Sequence, residues 1–464
     1  IVFGDWSSDV CSSDLTPPFV TPTSYGEGCS WADFDNDGWL DVFIPRRNGN
    51  DLFFRGGSDG AFSSMTALEA GEVVETSTYA VGACFDYDGD GARDLLVAPL
   101  SLSGATSYCR LYHNEGTGYF RRITEGDLAN QPSEYSGATV VCYAAGDYDN
   151  DGDFDLMVTA GEDGYRGRLY RNDGNGTFTN VAAAAGVDTP LNGYLPTWAD
   201  FDNDGDLDLL IMGANYWNPS HVLGNGNVLF RNNGDGTFTS IEVGSPLHDG
   251  IRRCSLNWAD YDNDGFLDLF MANGNAVAER NFLYRNNLAA VENPNHWLKV
   301  RLTGRASNSR GVGAKIRATA TIGAKPVRQL QEINTPGSMT SEDFVAHFGL
   351  GDATQVETLR IEWPSGIVQE LTGVAANQLL EVVETQDASL PEPLAIGTFG
   401  KATDGVFHAT VDCPIAGLLC VLESSSDLEQ WSKVQVRTNQ TGVVEFTDAH
   451  TANSPTRFYR VSVP

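Results

Sequence analysis

One nine-residue pattern, Asp-x-Asp-x-Asp-Gly-x-x-Asp, occurs five times in this 464-residue chain, beginning at Asp33, Asp86, Asp147, Asp200 and Asp260. The copies read DFDNDGWLD, DYDGDGARD, DYDNDGDFD, DFDNDGDLD and DYDNDGFLD. Four carboxylates in one short loop repel each other, and a turn alone has no use for them. A hard cation removes the repulsion, because calcium takes about six to eight oxygen ligands at roughly 2.3–2.6 Å. Glycine at position 6 permits the curl that lets positions 1, 3 and 5 converge. Position 7 (Trp39, Ala92, Asp153, Asp206, Phe266) would add a backbone carbonyl. The candidate metal ligands are Asp33, Asp35, Asp37 and Asp41; Asp86, Asp88, Asp90 and Asp94; Asp147, Asp149, Asp151 and Asp155; Asp200, Asp202, Asp204 and Asp208; and Asp260, Asp262, Asp264 and Asp268. The expected cofactor is Ca2+, one per loop and about five per chain. The plainer alternative is an Asx-rich hairpin turn without metal. Five copies that all keep Asp at positions 1, 3, 5 and 9 weigh against it.

An EF-hand begins the same way but needs a bidentate Glu at position 12. Here position 12 holds Ile44, Val97, Val158, Ile211 and Met271, so these loops are not EF-hands. Each final Asp is followed by a short apolar run (VFI, LLV, LMV, LLI, LFM), which reads as a buried strand. The loop therefore joins two strands.

The copies are spaced 53, 61, 53 and 60 residues apart, a period that suggests radial or solenoid repetition. Within each period a second element recurs: DLFFRGGSDGAF, RLYHNEGTGYF, RLYRNDGNGTF, VLFRNNGDGTF and a clipped FLYRNN. An apolar-aromatic strand, an Asn/Asp/Gly turn and a strand opening on Phe make a tight hairpin. Four antiparallel strands per period make one propeller blade. Loops and hairpins together resemble FG-GAP/VCBS repeats, the blades of integrin-type β-propellers, over roughly residues 25–290. The resemblance implies an all-β fold, a β-propeller with five recognisable four-stranded blades, and calcium at all twenty aspartates named above. Propellers of that family commonly close with seven blades, so the ring here is smaller, open, or short of blades at its N-terminus.

Residues 1–15, IVFGDWSSDVCSSDL, fit no repeat and lack the basic and apolar regions of a signal peptide. They resemble translated adapter sequence, and the expectation is a non-native tail that replaces the true start and any export signal. The propeller is expected over 16–295. From 296 to 385 the loops stop and basic residues appear, with period-two alternation in WLKVRL, KIRATA, TLRIEW and LLEVVE. With HFGLGD, RIEWPSG and LTGVAANQLLEVVE, this stretch resembles the ASPIC/UnbV domain that follows FG-GAP repeats in secreted proteins. INTPGSMTSED (333–343) departs from that family's glycine-serine-tyrosine loop, which puts any binding role of that loop in doubt. QDASLPEPLA (386–395) reads as a linker, and 396–464 resembles a small C-terminal β-sandwich of exported proteins, with Trp431 and Tyr459 as core residues.

The formal charge is −33, and 22 of the 62 acidic residues lie in the five nonapeptides. Five divalent ions would leave about −23. Such a charge disfavours nucleic-acid partners, and no apolar run approaches the roughly 20 residues of a membrane helix. Of the eight cysteines, Cys413 and Cys420 could close a hairpin and Cys109 could pair with Cys142, with buried thiols as the equal alternative. There is no G-x-S-x-G, H-E-x-x-H or phosphate loop, and the seven histidines form no spaced pair. The leading expectation is a calcium-rigidified, exported module that binds a protein or glycan partner through propeller loops. The candidate loops are 99–107, 126–137, 187–196 and 214–226, the last carrying Tyr216, Trp217 and His221. The alternatives are a calcium-dependent polysaccharide lyase or hydrolase and a purely structural surface spacer.

Overall fold

The computed structural model describes residues 29–462 apart from 47–48, 58–60, 74–75, 78, 100–108, 129–140, 161–165, 175, 189–192, 214–226, 245–253, 274–280, 290–292, 335–343, 386–395, 402–406, 413–418, 426–431, 439–442 and 449–457. The N-terminal tail, the linker, most of the candidate partner loops and Trp431 therefore lie outside the described residues. Among those described the chain is all-β, with two single-turn helices, Ala67–Ala70 and Ala182–Ala185.

The apolar run after each loop is the second strand of a sheet, and the loop is the hairpin that leads into it. The register is the same five times: Ala32 faces Asp41, Phe85 faces Asp94, Gly146 faces Asp155, Ala199 faces Asp208 and Ala259 faces Asp268. Blade 1 comprises Ser30–Ala32, Asp41–Ile44, Leu52–Gly56 and Phe62–Ser64. Blade 2 comprises Tyr79–Phe85, Asp94–Pro99, Arg110–Asn114 and Phe120–Arg122. Blade 3 has Val141–Gly146, Asp155–Ala160, Arg168–Asn172 and Phe178–Asn180; blade 4 has Gly193–Ala199, Asp208–Gly213, Val228–Asn232 and Phe238–Ile241. In each of these four sheets the strands are neighbours in chain order. Blade 5, Cys254–Ala259, Asp268–Asn273 and Phe282–Tyr284, has three strands among the described residues where four were expected. The clipped FLYRNN explains the difference, because LAAVENPN follows it without the glycine turn and returning Phe of the other copies.

Blades pack through repeated aromatics. The position-2 ring of one loop meets the returning Phe of the next blade: Phe34 with Phe120 at 5.5 Å, Tyr87 with Phe178 at 6.1 Å, Tyr148 with Phe238 at 5.6 Å. Each buried ring contributes about 1.5–3 kcal/mol of hydrophobic stabilisation. No sheet joins blade 5 to blade 1 among the described residues.

After the blades, His296–Thr303 lies between Val345–Gly351 and, in parallel, Gln378–Val383. A second sheet runs Lys325–Glu332, Lys315–Ile322, Gln355–Glu362, Val368–Ala375. The two sheets share one core that includes Leu298, Val300, Ile316, Phe348, Leu359 and Trp363. Two further three-stranded sheets follow the linker and bury Val411, Cys420, Leu422 and Phe446 together, with Tyr459 stacked on Phe407. Cys109 and Cys142 are buried thiols in separate core clusters, so the suggested disulfide between them is not made. Cys413 lies outside the described residues.

Candidate metal centres

Each loop is held in shape by its own carboxylates. The position-1 Asp accepts the N–H of the position-6 glycine: Gly38 on Asp33 at 2.7 Å, Gly91 on Asp86 at 2.8 Å, Gly152 on Asp147 at 3.2 Å, Gly205 on Asp200 and Gly265 on Asp260 at 2.9 Å. These glycines have φ between 90° and 99°, where a Cβ would be strained. Position 4 is also left-handed: Asn36, Asn150, Asn203 and Asn263 have φ of 54–60°, and Gly89 has 76°. Asn tolerates that conformation better than other side chains. The recurrence of Asn or Gly at position 4 was visible in the sequence, although position 6 alone was singled out.

The position-9 Asp has a double task. One oxygen accepts the N–H of position 2, as Asp208 does from Phe201 at 3.3 Å. The other accepts the N–H at the end of the blade's third strand, as Asp208 does from Asn232 at 2.8 Å. Asp41, Asp94, Asp155 and Asp268 repeat this staple on Gly56, Asn114, Asn172 and Asn286. Position 9 therefore ties the loop to its blade before any ion is considered.

In four of the loops at least three of the expected ligands converge. Oxygens of Asp33, Asp35 and Asp37 lie within 4.8 Å of one another, as do those of Asp86, Asp88 and Asp90. In loops 3 and 4 the groups are Asp147, Asp149 and Asp155, and Asp200, Asp202 and Asp208. In loop 5, Asp262 and Asp264 are drawn together by one guanidinium, Arg285, at 2.5 and 3.0 Å. The residues fit a hard cation by a second criterion: Asp147 Oδ1, Asp149 Oδ1 and Asp202 Oδ1 are buried and accept no hydrogen bond. Buried acceptors without a donor are costly unless something positive faces them.

Charge makes the same demand. Burial, reinforced by the Asp35 and Asp37 charges, pushes Asp33 from 3.8 up to about 7. Burial likewise pushes Asp41 and Asp147 to about 8 and Asp94 to about 7, and raises Asp155, Asp200 and Asp208 well above the usual range. The third strand partly answers with a basic residue just before its last position: Arg55 on Asp35 at 2.7 Å, Arg231 on Asp202 at 3.6 Å, and His113 on Asp88 at 3.2 Å.

Two expected results follow from these loops. Asp202→Ala removes a side chain with an orphaned buried oxygen, and should weaken metal binding and lower the midpoint of the metal-loaded protein. An unchanged metal response in isothermal titration would exclude loop 4 as a site. The second concerns pH. An acid whose folded value lies near 7–8 holds protons in the native state that the unfolded chain has released. With chelator present, stability should therefore fall as pH rises from about 4 to about 8. With calcium present, the ionised carboxylates are the binding form and that loss should shrink. Denaturation at pH 5.5 and 8, with and without chelator, reads the difference. Greater metal-free stability at pH 8 would contradict this account.

Sequence reasoning assigned the Asn of RLYRN and VLFRN to a turn and missed its larger part. The Asn232 side chain donates to Leu207 O of its own loop at 3.1 Å and to Tyr148 O of the preceding blade at 2.8 Å. Asn114 does the same to Arg93 and Phe34, Asn172 to Phe154 and Tyr87, and Asn286 to Leu267 and Phe201. Each Asn latches one acidic loop to the next. The signal was its fixed place in four of the hairpin segments.

Sequence models of two families match the chain. That of the FG-GAP-like repeat matches residues 33–97, 86–158, 147–211 and 218–271, and that of ASPIC and UnbV matches 304–389. Cartilage acidic protein 1 of Homo sapiens is 25% identical over 370 residues, covering 75% of this chain and 53% of the relative. The Xenopus tropicalis protein of the same name is 22% identical over 75% of this chain and 54% of its own length. The chain thus spans about half the length of the curated relatives it matches. Among solved structures, an Agrocybe aegerita protein described as recognising non-reducing terminal N-acetylglucosamine overlaps 56% of this chain and 67% of its own, at 17% identity and TM-score 0.36.

Proposed function

This chain belongs to the FG-GAP-like repeat family, followed by an ASPIC and UnbV domain, and from that premise we propose that it is an exported, calcium-binding ligand module. Calcium at Asp33 to Asp41 and the four equivalent loops would rigidify the blades. Extracellular modules bind calcium at roughly 10⁻⁴–10⁻³ M, a range that extracellular calcium can fill. The observation that carries the reading is the repeated carboxylate group with buried oxygens that no donor satisfies. When bound, the ion would supply charge neutralisation and fixed loop geometry; adhesion to a protein or glycan would fall to other surfaces.

Strand direction supports a division of the two ends. The second and third strands of each blade, such as Asp94–Pro99 and Arg110–Asn114, are antiparallel. Their connection therefore leaves the sheet at the end away from the metal loop. The described strands that flank the candidate partner loops begin or end at that opposite end. Binding of the intact chain to immobilised glycans and extracellular-matrix proteins, in calcium and in chelator, tests the proposal. Calcium-dependent retention supports it. Release of unsaturated or shortened oligosaccharides from polysaccharide would replace it with the enzymatic alternative. No helix among the described residues is long and apolar enough to cross a membrane.

A further inference from the structure

The ASPIC and UnbV domain sits on the metal-loop end of the blades and touches all five loops. At loop 1, a Cβ on Gly38 would lie 3.5 Å from Ala306 O. At loop 2, the Lys315 ammonium meets Asp86 Oδ2, and Arg93 pairs with Glu332. At loop 3, Arg317 donates to Gly152 O at 2.9 Å. At loop 4, His347 Nε2 lies 2.7 Å from Asn203 Oδ1, and Gly351 N donates to Asn203 O at 2.8 Å. At loop 5, Lys299 Nζ donates to Asp260 Oδ2 at 2.7 Å, and a Cβ on Gly265 would fall 1.8 Å from the Trp297 indole nitrogen. The contact leaves a cavity of about 210 Å³ lined by Trp198, Trp258, Lys299, Glu332 and His347. Basic strands thus face acidic loops, and the two lysines are buried where they do so.

Both lysines make the same contact. Each ammonium reaches the position-1 oxygen, Oδ2, that already accepts the position-6 glycine N–H. The other oxygen, Oδ1, accepts only a loop N–H, from Gly89 or Asp264 among the hydrogen bonds described, and stays turned into the loop. Lysine and a divalent ion can therefore share one carboxylate, the lysine outside and the ion within. In loop 5, four carboxylates would be balanced by Lys299, Arg285 and one divalent ion. In loops 3 and 4, the position-1 carboxylates Asp147 and Asp200 have no cationic hydrogen-bond partner among the described residues.

We propose that the ASPIC and UnbV domain is the resident cap of the metal-loop face, with Lys315 and Lys299 as built-in counter-cations for loops 2 and 5. Those two loops keep their shape without calcium, whereas loops 3 and 4 depend on it. The cap also closes this end of the blades to outside partners. The proposal rests on the calcium reading above for its metal-dependent half only.

The test compares the intact chain with its Lys299→Met, Lys315→Met double variant by thermal unfolding in chelator and in millimolar calcium. In chelator, the variant should melt lower by on the order of 10 °C or more, because two buried carboxylates lose their counter-charge. Calcium should close at least half of that gap, since the ion is then the remaining neutralising charge at loops 2 and 5. The Lys299→Arg, Lys315→Arg variant keeps the charge and should stay near wild type in both conditions. Where the wild type responds to calcium, an equal loss with and without calcium would reduce the lysines to ordinary packing pairs and overturn the proposal; no loss in either condition would overturn it in any case. If the double variant does not fold in chelator but folds in calcium, the proposal is supported; if it folds in neither, Lys315→Met alone is read by the same two criteria. A wild-type chain with no calcium response refutes the calcium reading, while the chelator gap still decides the lysines' part.

Discussion

Stripping divalent cations from the intact chain should lower its thermal midpoint by on the order of 15–25 °C. A ligand that binds only the native state adds about 1.4 kcal/mol at ten times its dissociation constant, so five such loops add about 7 kcal/mol. For a unit of about 150–250 residues, each kcal/mol moves the midpoint by about 2–4 °C. The effect is large because the loops serve the whole array, as hairpins of every blade and as seats for the latching asparagines. Elemental analysis of protein dialysed against millimolar calcium, less the calcium of the dialysate, should count about five calcium ions per chain. No bound metal and no shift would leave a polar hairpin repeat whose orphaned oxygens are met by water, and the extracellular argument would lose its main support.

The second large effect is expected from a residue that binds no metal. Asn232→Ala removes two donors whose acceptors, Tyr148 O and Leu207 O, belong to adjacent loops, and the acceptor for Gly234 N at 3.1 Å. Asn232 is 1% exposed, so water reaches these groups poorly. Leaving a buried polar group unsatisfied costs about 1–3 kcal/mol, and a total near 3 kcal/mol corresponds to a midpoint lower by about 6–12 °C. Asn233→Ala, one residue along the same turn, loses only exposed contacts to Thr237 and Thr239 and should cost about 0.5 kcal/mol or less. Thermal unfolding of both variants in saturating calcium separates the latch from metal binding. Equal, small losses would mean that the blades are held by aromatic packing alone.

The fold was legible because its signal is periodic. Apolar runs of fixed length after each Asp at position 9 allow only one strand register, and the structure repeats that register five times. The candidate ligands were legible for a related reason. Residues spaced two apart around a glycine turn converge through local backbone geometry, without help from distant parts of the chain. That blade 5 has three strands among the described residues was half visible in the clipped FLYRNN.

Contacts between repeats and between domains were not legible in this way. Nothing in VLFRN says that the Asn side chain reaches a carbonyl 84 residues earlier. Arg93 did carry a mark, since it replaces the apolar Leu40, Phe154, Leu207 and Leu267 of the other copies at position 8. Its partner Glu332, 239 residues away, could not be read from that mark. The same is true of Lys315 and Lys299, whose basic strands were noticed but not given a face to meet. The sequence by itself determined the blades, their loops and the carboxylates that crowd them, because these depend on neighbours within one short stretch of chain. Only the tertiary structure decided which carboxylates a lysine already neutralises and which end of the blades the second domain covers. Those outcomes depend on the packing of separate sheets, which burial and charge settle in three dimensions.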